Sequence, residues 1–483
     1  MKHLHDSKLL QALRGLSDQE LEHFGHYLAN PMFNTRPQSN RLLDFLQTFA
    51  PAYRDPALNE KNLFRAVFGE ASYHHQHVKT EFSHLFRLLK GFLAVLELKE
   101  RREETDLLAM AQLRKRKREK VFLAQQRALK KRLDLDRAPR SSKLPTDVRL
   151  RLSFQLQDET ERFFGQQQRR LDDTGIEEKM ERLDTFFFYH KLRGGCEMLN
   201  RQNILDRKAS LPLMAEVQGL SGSRPDEAAI TLYRQIYLCL AEPEVLSHFQ
   251  QLKKNLHQLQ HDLPRGEARA MFKYAQNYCI ARINRGEAAF YREIFGLYQV
   301  QLEKEIIFSN GALSHMDYSN IVTTALRLKE FAWAASFIES YQSHLLPEYQ
   351  KGVYAYNLAN LHFEQKKLRA AIRLLREVEI DDPFYEASSK VLLCKVYFES
   401  QEWEALRYLI EAFKRYLKRS RAFSQKHCTH YLHFLRHLKS LLLLYERRAS
   451  LVPADFQARL RKVAVAISED GMVSNKKWLE GKC

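Results

Sequence analysis

Apolar residues recur at i, i+3, i+4 and i+7 through almost the whole chain, and strict apolar–polar alternation is rare. That period predicts amphipathic helices rather than strands. Near the start, Ser17-Asp-Gln-Glu20 has the form of a capping box ahead of Leu21, Phe24 and Leu28, which marks a helix start. Prolines 31, 37, 51 and 56 then cut the pattern into short helices, and a longer helix begins near His75. Residues 1–98 therefore read as a small helical N-terminal domain. Residues 99–175 form a helical connecting region rich in Arg, Lys and Gln, with a loop at Ala138-Pro-Arg-Ser-Ser-Lys-Leu-Pro145.

From residue 176 the pattern becomes a series of helices separated by brief breaks. The breaks fall at Gly194-Gly195, Ser221-Gly-Ser-Arg-Pro225, Glu242-Pro243, Leu263-Pro264 and Asn310-Gly311. An Asn-Gly pair can mark a β-hairpin, but its flanks here do not alternate, so a helix–helix loop is expected. Residues 176–317 read as divergent helical hairpins and 421–483 as C-terminal capping helices.

The intervening stretch repeats itself. Leu358-Ala-Asn-Leu-His-Phe-Glu-Gln-Lys-Lys-Leu-Arg-Ala370 aligns with Leu393-Cys-Lys-Val-Tyr-Phe-Glu-Ser-Gln-Glu-Trp-Glu-Ala405, 35 residues later. A looser copy precedes them, from Leu326 through Phe331 to Ile338. Each copy is a helix, a polar turn carrying Lys, Glu or Gln, a large apolar residue and a second helix. Such a hairpin cannot bury its apolar face alone and must share a core with stacked neighbours.

On these residues, 318–420 resembles the tetratricopeptide repeat family. In the unit 352–385, Leu358, Ala359, Ala371, Leu375 and Pro383 fall where that family places its large, small, small, large and helix-ending residues. Ala355 and His362 depart from it, standing where the family often has Trp and Tyr. The resemblance implies an all-α fold in which helical-hairpin repeats form an α-solenoid. It also implies a concave groove lined by the first helices, with Asn360 and its counterpart Lys395 as candidate surface residues. The family's charge clamp for carboxyl-terminal peptides is not matched, so no ligand type carries over. The whole chain also resembles long bacterial helical-repeat proteins, a likeness that brings no activity with it.

Composition agrees with this picture. Hydrophobic residues make up 45% of the 483, enough for a sizeable core, while Gly (17) and Pro (13) are scarce for an all-β or Gly-rich nucleotide-binding fold. The N-terminal stretch has no secretory-signal pattern, and no apolar run is long enough to span a bilayer. The six cysteines are widely and irregularly spaced, without CxxC or Cys/His zinc spacing, which points to a reduced cytoplasm.

The net charge of +18 is concentrated. Residues 114–143 hold thirteen Lys/Arg against three acids, and residues 412–448 hold ten against one, so the remainder is close to neutral. The candidate partner-binding cations are Arg114, Lys115, Arg116, Lys117, Arg118, Lys120, Lys130, Lys131 and Arg132 in the first segment. In the second they are Lys414, Arg415, Lys418, Arg419 and Arg421. Such segments suit an acidic protein partner or, alternatively, the phosphate backbone of a nucleic acid. Lys115 and Arg118 fall on the stripe set by Leu108, Ala111, Phe122 and Leu129, so either a helix break lies there or the helix is unpacked. Phe413, Tyr416, Tyr431 and Phe434 read as core at helical spacing rather than as base-stacking platforms.

Catalytic and metal signals are weak. His430, His433 and His437 share an arc opposite the stripe of Cys428, Leu432, Leu435 and Leu442, and read as an exposed polar face. Tyr73-His-His-Gln-His77 sits near a helix start. Asp172-Asp173 and Asp381-Asp382 stand at helix boundaries, where Asp caps or turns the chain. Phe186 to Tyr189 read as core packing. No phosphate loop, nucleophile elbow or HExxH is present. The expectation is a non-enzymatic protein-interaction scaffold with no cofactor and no metal.

Overall fold

The computed structural model describes residues 4–69, 71–133, 144–166, 175–205, 210–221, 227–376, 378, 382–420 and 422–483. The expected loop at 138–143, the break at 222–225, Asp172, Asp173, Asp381 and Arg421 lie outside these residues. The protein is all-helical: among the described residues the sole β pairing is an isolated bridge between Ser309 and Ala312. The chain divides into two compact units, Met1–Phe187 and Phe188–Cys483.

In the first unit the helices are α1 (Lys8–Leu13), α2 (Asp18–Ala29), α3 (Pro37–Gln47), α4 (Glu60–Phe68), α5 (His75–Glu100), α6 (Arg102–Lys115), α7 (Glu119–Arg132) and α8 (Thr146–Gly165). The Ser17 capping box forms as expected, with Ser17 Oγ accepting from the Glu20 N–H and Glu20 accepting from the Ser17 N–H. Helices α1 to α4 pack on the long α5. Their shared core includes Leu10, Phe24, Leu42, Leu63, Leu85 and Leu89, all essentially inaccessible to water. Each such side chain contributes about 1.5–3 kcal/mol by leaving water. A second core forms where α6, α7 and α8 meet, with Phe122 stacked on Phe163 at 4.0 Å between ring centres.

Helix α9 (Ile176–Leu205) runs unbroken through Gly194-Gly195, correcting the expected break there. Gly195 instead serves close packing, since a Cβ at that position would meet Met214 Cε at 2.9 Å and the Tyr237 ring at 3.3 Å. The helix formed because its neighbours favour helix strongly enough to absorb two glycines, each costing about 1 kcal/mol.

The second unit continues with α10 (Met214–Ser221), α11 (Ala228–Ala241), α12 (Leu246–Leu259), α13 (Arg265–Asn284), α14 (Phe290–Glu303), α15 (His315–Arg327), α16 (Phe331–Tyr341) and α17 (Pro347–Glu364). It ends with α18 (Leu368–Arg376), α19 (Pro383–Glu399), α20 (Trp403–Arg419), α21 (Gln425–Glu446), α22 (Pro453–Glu469) and α23 (Lys476–Glu480). From α11 onward the helices pair in succession, α11 with α12 through to α21 with α22, and each pair packs on the next. First helices also touch directly, α15 against α17 and α17 against α19. Ala325, Ala359, Ala371 and Ala387 are fully buried in these contacts, and their small side chains permit the close approach.

One turn recurs at the tips. Gly286, Lys329, Lys366 and Gln401 each adopt a positive φ, between 61° and 100°. After each, the next residue's N–H bonds the carbonyl five residues back: Glu287 to Arg282, Glu330 to Ala325, Lys367 to His362 and Glu402 to Tyr397, at 2.8–3.2 Å. This is the Schellman arrangement, which satisfies carbonyls that the helix end would leave bare. Phe331, Leu368 and Trp403 then open the second helices. Asn310 and Gly311, both at positive φ, make a tight two-residue turn within the loop joining α14 to α15. Pro383 opens α19 at its first turn, where its missing N–H costs nothing, rather than closing α18.

Left-handed backbone is unfavourable for a residue bearing a Cβ, so Gln401→Gly removes strain that Gln401→Val increases. In chemical denaturation the glycine variant is expected to gain about 0.5–1 kcal/mol and the valine variant to lose about 1 kcal/mol or more.

Candidate functional site

The first basic segment is divided by structure. Helix α6 ends at Lys115, Lys117 takes φ 54°, and the Arg118 N–H bonds the Leu113 carbonyl at 3.0 Å before α7 begins. A helix break therefore explains how Lys115 and Arg118 came to lie on an apolar stripe. Arg114 points inward, 11% exposed, and its Nε donates to Glu159 at 2.5 Å. Arg132 pairs with Asp106 and lies 3.9 Å from Glu103, while Lys130 lies 4.0 Å from Glu178. Helix packing thus brings carboxylates to both Arg114, nearly buried, and Arg132, partly exposed. Lys115, Arg116, Lys117, Arg118, Lys120 and Lys131 remain exposed, with Arg116 folded back on its own Gln112 at 2.5 Å.

In the second segment, Phe413 and Phe434 are fully buried and Tyr416 and Tyr431 pack against the same core. Lys414 pairs with Glu411 at 3.4 Å, which Lys439 also holds at 2.9 Å. Arg415, Lys418 and Arg419 are exposed in the last turns of α20, where positive charge complements the helix dipole.

The histidine face differs from its expected exposed state. Asp470, just past α22, reaches α21 and binds His433 at 2.9 Å, Arg436 at 2.8 Å and His437 at 2.8 Å. His437 is buried in consequence. The helical wheel could not anticipate this, because it sees one helix and the partner carboxylate arrives 33 residues later. Burial opposes ionisation of Asp470, but hydrogen bonds from His433, His437 and the Met472 N–H hold its carboxyl well below the usual carboxylate range. Among the described residues no group of three or more His, Cys, Asp or Glu side chains is arranged to hold a metal ion. Tyr73 and His75 both hydrogen-bond Glu60, at 2.7 and 2.6 Å.

A cavity of about 310 Å³ lies in the second unit. Its walls come from four successive first helices, α15, α17, α19 and α21, and from the turn Ser474-Asn475 before α23, a short strap. The distance of each residue from its hairpin turn describes the convergence. Thr323, Asn360 and Lys395 occupy equivalent places six residues before the left-handed turn residues Lys329, Lys366 and Gln401. All three line the cavity, and so do Arg327 and Glu364, one helical turn further on. Asn360 and Lys395, picked out by repeat alignment, are therefore brought together. Arg327 and Glu364 were missed, although the same alignment extended by four residues finds them.

Lys395 is 9% exposed, buried under the strap. Its Nζ donates to Asn475 Oδ1 at 2.5 Å and lies 5.7 Å from the centre of the Trp478 ring. Among the described residues no carboxylate pairs with it. Burial, reinforced by Arg327 and only partly offset by Glu364 and Glu399, pushes its ammonium down to about 8. Tyr356 and Tyr431 form an aromatic wall beside the Ser388 hydroxyl, and burial pushes the Tyr356 phenol up to about 12. The strap is fastened by Asp470 and by the Ser474 N–H, which bonds the His430 carbonyl at 3.3 Å. The arrangement is a polar, partly aromatic seat with a buried cation in its wall.

No protein-family model, curated protein or solved structure matches the chain. Among the described residues no helix is long and apolar enough to cross a membrane.

Asp470→Asn replaces a charged acceptor by a neutral one and is expected to cost about 2 kcal/mol at neutral pH. Because the folded state holds the Asp470 proton less tightly than the unfolded state, this stabilisation is present above the unfolded-state value of 3.8 and is lost as pH falls below it. Urea midpoints of the two proteins should therefore converge as the pH is lowered through the acid range.

Proposed function

We propose that the chain is a non-enzymatic scaffold that binds a protein partner along a face made by the first helices of stacked hairpins. In this reading the hairpins form an α-solenoid, tetratricopeptide-like over residues 318–420, in the cytoplasm. The observation that carries it is the register: equivalent positions of consecutive repeats, Thr323, Asn360 and Lys395, line one cavity together with α21. A stripe repeated once per hairpin is the form of surface that stacked helical repeats offer to an extended segment of another protein. An acidic partner fits the excess of cations. Arg327 and Lys395 face one wall carboxylate, Glu364, and Arg415, Lys418 and Arg419 add exposed charge on α20.

The nucleic-acid alternative draws less support. Arg114 and Arg132 are committed to carboxylates within the chain. The second segment's Phe413 and Phe434 are buried and so are not available to stack on a base.

The reading is tested by placing a photo-crosslinking residue at Asn360, in the cavity, and at Arg369, exposed on α18, in the full-length protein in its own cells. A discrete protein adduct at 360 that is absent at 369 is expected. Identical adducts at both positions, or none at 360 beside retention of a random duplex on the purified protein at low salt, would contradict it.

A further inference from the structure

The cavity wall contains a buried cation that, among the described residues, makes no ion pair. Lys395 is almost wholly removed from water, yet its contacts are an amide oxygen and an indole face rather than a carboxylate. A buried ammonium without a counter-ion is costly, and side chains of this kind are retained where an anion supplies the missing charge. Its ammonium has three N–H groups; Asn475 takes one and the Trp478 face covers another, leaving one for the cavity.

Other donors stand around the same space. Arg327 lies exposed at the open side and has no ion-pair partner among the described residues. His430 Nε2 and Ser474 Oγ are buried without a hydrogen-bond partner there. Glu364 is the one carboxylate of the wall and leaves the two cations in excess. The volume, about 310 Å³, is at the small end of the range for bound metabolites.

We propose that this cavity binds an oxyanion group, the phosphate or carboxylate of a small molecule, with Lys395 supplying the buried charge and Arg327 closing on it from the open side. His430 and Ser474 contribute neutral hydrogen bonds, His430 in the tautomer that carries its proton on Nε2. This goes beyond the scaffold reading, since it needs the cavity and not the protein partner, and its failure would leave the cross-linking result untouched.

Occupancy should depend on pH. The groups facing Lys395 are Arg327 from α15, Glu364 from α17, His430 and Tyr431 from α21, and Glu399 on its own helix, which Lys482 beyond α23 neutralises at 2.7 Å. Between neutral pH and the point where Lys395 discharges, the anion meets a protonated amine; above it the attraction is lost.

The test titrates sulfate into the full-length protein by calorimetry at constant ionic strength set with chloride. Sulfate keeps its charge over this range, so pH acts on the protein alone. One saturable site is expected, weakened about tenfold in Lys395→Met and several-fold in Arg327→Gln, the loss of a charge-assisted hydrogen bond in each case. Affinity should also fall as the pH is raised from about 7 to about 9.5, as the Lys395 ammonium discharges. Inorganic phosphate competing with sulfate assigns the ligand to the phosphate class, and acetate binding in place of both assigns it to the carboxylate class. Absence of saturable binding by any of these anions overturns the proposal, as does affinity unchanged in the variants. Should Lys395→Met fail to fold by circular dichroism, Arg327→Gln, at an exposed position, decides the matter alone.

Discussion

A helix hairpin has two apolar flanks, and its own pairing covers neither completely. In the second unit, from α11 onward, each helix pair packs on the next. The sites where this succeeds are marked by alanine: Ala325, Ala359, Ala371 and Ala387 are fully buried where helices cross, and a larger side chain would hold the pairs apart. After α22, the short helix α23 packs on α21 and α22. Leu479 is fully buried there, Trp478 packs edge-on to Phe398 at 5.6 Å, and the Trp478 Nε1–H donates to Glu399 at 3.1 Å. The final segment is therefore part of the core and not an appendage.

The same stacking creates the cavity. Thr323, Asn360 and Lys395, each six residues before a left-handed turn residue on its own helix pair, line one surface. The end segment that completes the core also lies across Lys395 and removes it from water. Asp470 fixes that segment by gathering His433, Arg436 and His437, so one carboxylate links the close of α22 to the face of α21. Structural and candidate binding features thus share residues within a short stretch of chain.

Much of this could be read in the sequence. Helical period, the Ser17 capping box and the 35-residue offset reflect local rules, and the polar turn residues they mark are the ones found at left-handed φ. Asn360 and Lys395 were reachable because a repeat fixes register without any knowledge of contacts. The failures share a cause as well. Gly194-Gly195 suggested a break because glycine weakens an isolated helix, yet close packing on Tyr237 makes Gly195 the residue that fits. Arg114 and Arg132 looked like surface charge because Glu159 and Asp106 lie on other helices. His437 looked exposed for the same reason. Charge and histidine partners are decided by long-range packing, to which periodicity is blind.

If stability in the second unit passes between neighbouring hairpins, each covered by the next, uncovering one end should weaken it locally. Native-state hydrogen exchange on a Trp478→Ala variant tests it most directly, since that change strips the cover from one end. Amides of α19 to α22 are then expected to lose protection, by less than the roughly 3–5 kcal/mol of a fully buried Trp truncation because Trp478 is half-buried, while α11 to α14 keep theirs. Equal loss across α11 to α22 would show one cooperative core in place of a stack, and would contradict the account.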